Sequence, residues 1–293
     1  NMDKPIFVVE NFANNVIFVI VFFKLNYILK YLSFNILYKV AYFIGNMFIY
    51  FNPKTTKAIS KFQNSCYDEV FVKQYFNNLF YNIVLLCTYP YYSEQKSKKL
   101  INNKNLEYFL EQNKDTRFNI GGIHFFNFLT ITTISDIFFK QNKRIFASFV
   151  LGDNKILKNF LNHIRKRFHY NYHYTFNLAN DKNGSNKLKE LYENTNCNFF
   201  LFCDVSFKRK ENNINIMINN ANLNFNNGYS TITKKFSDCK NLIIYLTLNR
   251  DYTFEHNYLI IDSIDSFYDN KFKDILKENK ELWQLWFFNP IFE

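Results

Sequence analysis

The sequence predicts an α/β protein: a mostly parallel sheet flanked by helices, preceded by an apolar N-terminal helical segment. Three observations carry this. Short apolar runs alternate with amphipathic stretches after residue 119, the pattern of strands joined by helical crossovers and covered on both faces. Apolar residues recur at three- and four-residue spacings before that point, the helical period. At 293 residues with 48% hydrophobic and 20% aromatic content, the chain can bury a substantial core and is too apolar for disorder.

The elements follow in order. Residues 5–52 are the most apolar part, with "VIFVIVFF" at 16–23 and "VAYFIGNMFIYF" at 40–51. Lys24, Lys30 and Lys39 cut the segment into pieces shorter than the roughly 18–20 apolar residues a spanning helix needs. No small-residue cleavage site follows, which argues against a secretory signal. Helices edged with lysine and tyrosine suit a membrane surface, so 1–52 is read as membrane-associating and 53–293 as one α/β domain. "YDEVFVKQYFNNLFYNIVLLCTYP" (67–90) is helical up to Pro90, and "SEQKSKKLINNKNLEYFLEQNK" (93–114) holds further, more polar helices.

"RFNIGGIHF" (117–125) then reads as a strand and turn, leading to a helix that runs to about Lys140. "RIFASFVL" is a strand and "NKILKNFLNHIRKRF" an amphipathic basic helix. "GSNKLKELYENT" is a helix entering the strand "NFFLFCDV", which ends at Asp204. "NINIMI", the helix "GYSTITKKFSD", the strands "NLIIYLTL" and "NYLIIDSI", and a helical end from Phe267 complete the chain.

Gly121 and Gly122 are the only adjacent glycines among six. Glycine frees a strand-to-helix turn to take positive φ, and a turn there places His124 near its mouth. Ligands in open α/β sheets gather at the carboxyl ends of strands, where His124 and Asp204 both stand. Imidazole titrates near neutral pH, which makes His124 the best-placed general base. Of the other histidines, His163 lies on the basic helix, His169 and His173 in a Tyr-rich stretch, and His256 in a hairpin. The pair His169 and His173 has no third ligand nearby, so no metal site is expected. Five cysteines without CxxC spacing read as buried thiols of a reducing compartment.

The excess of 36 basic over 25 acidic residues gives a formal net charge of +11, which favours anionic partners. "HIRKRFHYNYHYTF" (163–176) interleaves cations with aromatics, the parts of a single-strand nucleic-acid groove. That reading leaves the apolar N-terminus without a role, and nucleic acid is not the favoured partner.

"GGIHFFNFLTITTISDIFF" is similar to the active-site segment of the lipid A late (secondary) acyltransferases, the lauroyl and myristoyl transferases of Gram-negative bacteria. In that family a Gly-rich turn precedes a His, with an acid five positions later. "LGDNKILKNFLNHIRKRF" resembles its Asp-Asn, helix and Arg-x-Arg segment, and "LKELYENTNCNFFLFCD" its helix, strand and terminal Asp. "NFNNGYSTITKKFSDCKNLIIYLTLNR" resembles the Gly-led helix before the final strand pair, and "ENKELWQLWFF" the Trp-containing end. The collinearity covers roughly residues 60–290.

The resemblance implies a glycerolipid-acyltransferase-like fold and transfer of an acyl chain from an acyl carrier protein or acyl-CoA thioester to a glycolipid hydroxyl. The reaction would take place at the cytoplasmic face of the inner membrane, without a cofactor. It makes His124 the base and Asn127, Arg165, Arg167 and Gly228 substrate-binding residues. Three departures stand out. Leu129 occupies the acid position, the Arg before the Asp-Asn pair is missing from "SFVLGDN", and "FFNP" replaces the basic residues after the final Trp. Leucine cannot accept the imidazole N–H, and Asp136 lies roughly 18 Å further along a helix. Asp204 can substitute if its strand neighbours that of His124. Otherwise the fold serves as an inactive lipid-binding or interaction protein.

Overall fold

The computed structural model describes residues 5–57, 69–142, 145–149, 173–176, 197–204, 213–218, 221–226 and 228–282, with isolated helical positions between 186 and 193. Three N-terminal helices come first: α1 (Pro5–Phe22), α2 (Asn26–Leu29) and α3 (Phe34–Phe51). Ser33 caps α3 by accepting from the Ile36 N–H, the usual role of serine at a helix start. Leu37, Ala41, Gly45 and Phe48 lie on one side of α3 at helical spacing and are buried. They pack on the long helix α4 (Glu69–Thr88), whose Phe76 and Phe80 stand 4.6 and 5.7 Å from the Phe48 ring. Phe12 of α1 joins the same cluster.

The chain then forms α5 (Glu94–Leu100), the two-residue strand β1 (Ile101–Asn102), α6 (Lys104–Gln112), β2 (Phe118–Gly122), α7 (Asn127–Asn142), β3 (Ile145–Phe149) and β4 (His173–Phe176). It continues through β5 (Cys197–Phe202), β6 (Asn213–Ile218), β7 (Ala221–Asn226), α8 (Gly228–Lys235), β8 (Lys240–Leu248) and β9 (Phe254–Ile261). After Ile261 come a short α turn (Ile264–Ser266), a π-helical turn (Phe267–Lys271) and a last α segment (Phe272–Glu278).

The fold class is α/β. Seven strands form one mixed sheet in the order β1-β9-β8-β2-β5-β3-β4, and β6 and β7 make a separate antiparallel hairpin. Every pairing in the large sheet is parallel except β8 with β9. The antiparallel exception has a local cause. A tight connection at Asn249–Thr253, with Tyr252 at φ 64°, returns the chain directly instead of through a crossover helix.

Side chains alternate across the central strands. Phe118, Ile120, Phe200, Leu242 and Ile244 face α6 and α7, while Phe199, Leu201 and Ile243 face α8 and the helices around α4. The sheet is therefore buried on both faces. The N-terminal helices join this core through stacked tyrosines. Tyr38 lies 4.2 Å from the Tyr252 ring, and the Tyr81 hydroxyl donates to the Tyr252 carbonyl at 2.8 Å.

Several sequence readings need correction. Gly121 and Gly122 close strand β2 rather than forming a turn, and neither has positive φ. Their lack of a side chain answers to packing. A Cβ on Gly121 would stand 2.6 Å from Ile243 Cδ1 and 3.0 Å from Tyr229 Cζ, and one on Gly122 2.5 Å from Phe200 Cζ. The positive φ falls instead on buried Phe126, at 52°, where a bulky side chain makes it a strained conformation. The strands β1, β4 and β7 are not anticipated by the sequence reading. The helix read at 154–168, with His163, lies outside the described residues, as does most of the helix at 184–195 and everything after Leu282. Of the expected C-terminal helix, 267–278 is helical, opened by a π turn, and 279–282 is turn.

Because Tyr229 is pinned through its hydroxyl to the carbonyls of Asn119 and Leu242, it cannot move aside for a larger residue at 121. Gly121→Ala should lower stability by about 1–3 kcal/mol through overpacking, as read from urea unfolding.

Candidate active site

The site grows out of strand register. Strands β2 and β5 pair in parallel with Gly122 opposite Phe202. His124 lies two residues beyond Gly122 and Asp204 two residues beyond Phe202, so equal offsets from a parallel pair deliver both to the same rim. One further ladder bond, from the Cys203 N–H to the Gly122 carbonyl at 2.9 Å, carries the pairing past the formal strand end. The Cys203 thiol donates to the same carbonyl at 3.1 Å.

At the rim the Asp204 carboxylate uses both oxygens on His124. Oδ1 lies 2.6 Å from the imidazole Nδ1, and Oδ2 accepts the His124 backbone N–H at 2.7 Å. This two-point grip fixes both the ring and the backbone that carries it. With Asp204 ionised, Nδ1 carries the proton and Nε2 presents its lone pair. No hydrogen bond to Nε2 exists among the described residues. The Asp204 side chain has no exposure, whereas that of His124 retains 11%. Phe202 stacks on the imidazole at 3.8 Å between centroids and 27° between planes, so the ring is held from the side as well.

Two further residues hold Asp204 in place. The Tyr268 hydroxyl, from the π-helical turn, donates to the Cys203 carbonyl immediately before the aspartate. Burial, and then the neighbouring Cys203 and Asp204, push the Tyr268 phenol well above its ordinary range, so it stays neutral. Burial, followed by the Asp204 charge, likewise raises the Cys203 thiol, which makes it an inert packing group rather than a nucleophile. Local sequence gave no signal for Tyr268 or Phe202, since their roles depend on long-range packing.

Of the other residues singled out from sequence, Leu129 is fully buried in the same hydrophobic cluster as Phe125 and Phe126. The position at which the resemblance puts an acid is core. Asn127 starts α7, but its side chain is outside the described residues, as are Arg165 and Arg167. Gly228 begins α8. The ring of the next residue, Tyr229, lies over Gly121. Asp136 is paired with Lys140 at 2.6 Å.

The second described histidine with ring partners contrasts with the first. His256 is buried, with Nδ1 2.6 Å from Asn103 Oδ1 and Nε2 3.1 Å from Thr133 Oγ1. Both nitrogens are committed, and burial lowers its pKa to about 3. A neutral ring locked at both ends is a structural tie. Nearby, a cleft of about 290 Å³ is lined by Tyr89, Glu94, Lys98, Thr133, Asp136 and Lys140 among others, and by neither His124 nor Asp204. Its paired charges do not suit an acyl chain.

No protein-family model matches this chain, and no curated protein matches it in sequence.

His256 gives a pH prediction. Its folded pKa lies below the unfolded value near 6.5, so its contribution to stability is present above pH 6.5 and is lost as pH falls toward 3. Between pH 7 and pH 5 the loss should be about 2 kcal/mol, and His256→Gln should flatten the slope in denaturant titrations. For the rim pair, Asp204→Ala leaves the buried His124 N–H without its acceptor and should cost about 2–4 kcal/mol. Asp204→Asn, which keeps one acceptor oxygen, should cost roughly half as much in the same urea titration.

Proposed function

We propose that the protein is an acyltransferase that moves a fatty acyl chain from an acyl-carrier thioester to a hydroxyl of a glycolipid resembling a lipid A precursor. His124 is the general base and Asp204 its orienting acid. The observation that carries this reading is the 2.6 Å contact between His124 Nδ1 and Asp204 Oδ1. It supplies from the neighbouring strand the carboxylate that the resemblance expects at Leu129.

In the proposed reaction, Nε2 takes the proton of the acceptor hydroxyl as its oxygen attacks the thioester carbonyl. Asp204 stabilises the imidazolium that forms, and the tetrahedral adduct collapses with expulsion of the thiolate. The imidazolium returns the proton to that thiolate, so no cofactor is required. The resemblance further assigns Arg165 and Arg167 to phosphates of the glycolipid or of the donor's prosthetic group, where guanidinium pairs well. It assigns Asn127 and the start of the helix at Gly228 to substrate contacts. It also implies a glycerolipid-acyltransferase-like fold working at the cytoplasmic face of the inner membrane, with acyl carrier protein or acyl-CoA as donor.

The test is transfer of a radiolabelled acyl chain from acyl carrier protein or coenzyme A thioesters to a lipid A precursor, using the purified chain. His124→Ala should abolish transfer. Asp204→Asn should lower kcat by on the order of 10³–10⁴ with little change in KM, because it presents the wrong group to Nδ1. Undiminished transfer by either variant would remove the altered residue from the chemistry. Failure of the unaltered chain with both donors would remove this reading.

A further inference from the structure

Among the described residues, fifteen of the eighteen large apolar side chains that stand exposed lie within residues 18–51. They concentrate at the elbow between α1 and α2, where the chain turns at Lys24 with φ 55°. Phe22, Phe23 and Ile28 there are 64%, 61% and 65% exposed, while Ile20 and Asn26 turn inward and anchor the elbow. No helix among the described residues is long and apolar enough to cross a membrane. The opposite side of α1 is spent on the core, through Phe12 against Phe48 and Phe80.

The charges around this surface are one-sided. Residues 11–57 contain Lys24, Lys30, Lys39, Lys54 and Lys57 and no Asp or Glu. The whole chain carries 25 acidic residues against 36 basic ones, so the absence of acids belongs to this segment rather than to the composition at large. The polar rim is also ordered, with the Lys30 ammonium 4.8 Å from the Tyr31 ring and 5.4 Å from that of Tyr27. Phenylalanine at an apex with tyrosine and lysine behind it matches the depth profile of a bilayer interface.

We propose that the elbow of residues 18–31 inserts into one leaflet of an anionic bilayer as a monotopic anchor, with the outer face of α3 lying along the head groups. A second copy of the chain is the poorer occupant, because it would bring lysines against lysines with no acid to pair them. Lys96 fixes the anchor to the rest of the molecule. Its ammonium donates to the carbonyls of Lys30 and Leu32, both at 2.5 Å, and lies 4.4 Å from the Tyr92 ring. This inference stands apart from acyl transfer and needs no catalytic readout.

Flotation of the full chain with phosphatidylcholine vesicles, and with vesicles containing phosphatidylglycerol, tests it. The expected result is binding about tenfold tighter to the anionic vesicles, and weakened at about 0.5 M salt. Phe22→Glu with Phe23→Glu should abolish flotation, and Lys24→Glu with Lys30→Glu should erase the anionic preference while leaving weak binding. All four positions are exposed or half-exposed, and circular dichroism confirms that each variant is folded. Absence of flotation, equal binding to both vesicle types, or indifference to the paired Phe changes overturns the proposal. A vesicle-free dimer that the paired Phe changes dissociate would overturn it too, by making the surface a self-interface.

Discussion

A carboxylate withdrawn from water must find its hydrogen bonds inside the protein, and at Asp204 that requirement organises the rim of the sheet. An unpaired buried charge would cost several kcal/mol. The side chain meets the cost with two donors from one residue, the ring and the backbone N–H of His124. Those donors are available only if β2 and β5 are adjacent, parallel and in the observed register. The small residues at 121 and 122, the thiol of Cys203 and the hydroxyl of Tyr268 all serve that register. The geometry of the histidine is thus a by-product of satisfying an anion.

This dependence explains how far the sequence could be read. His124 and Asp204 were legible because each follows an apolar run that must be a buried strand, and strand ends are where polar residues can gather. Their partnership was legible only as a condition, since register between strands eighty residues apart is not written in either strand. The role of Gly121 and Gly122 was misread for a related reason. Glycine signals either backbone freedom or lack of room, and the neighbours that remove the room, Tyr229, Ile243 and Phe200, are distant in sequence. Strand β1, two residues long, has no period to detect. The stretch around His173 carried so many aromatics that its strand gave no contrast. The return of β9 beside β8 was readable as a hairpin holding His256, but the positive φ of Tyr252 that makes its turn was not, since tyrosine does not advertise it.

The N-terminal helices show the opposite balance. Their apolar character was plain from composition, but only the fold separates the side of α3 that fills the core from the side that faces out. Leu37, Ala41 and Phe48 are as buried as any strand residue, and Tyr38 stacks on the β8–β9 connection. The segment is part of the same hydrophobic cluster as the sheet face beneath α8. Lys96, caged between carbonyls and aromatic rings, has its ammonium pKa lowered by that burial.

Placing the two halves of a dyad on neighbouring strands changes which genetic events can destroy it. Along a single helix, His and acid keep their relation through any insertion elsewhere. Here one codon lost between Asn198 and Phe202 would shift the rest of β5 by a residue and turn the following side chains to the other face of the sheet. Composition would scarcely change, yet Asp204 would leave His124. A His–Asp contact built in this way leaves position 129 to the core, where Leu129 is fully buried, and is intolerant of length change in β5. Register, more than residue identity, is what such a strand must preserve.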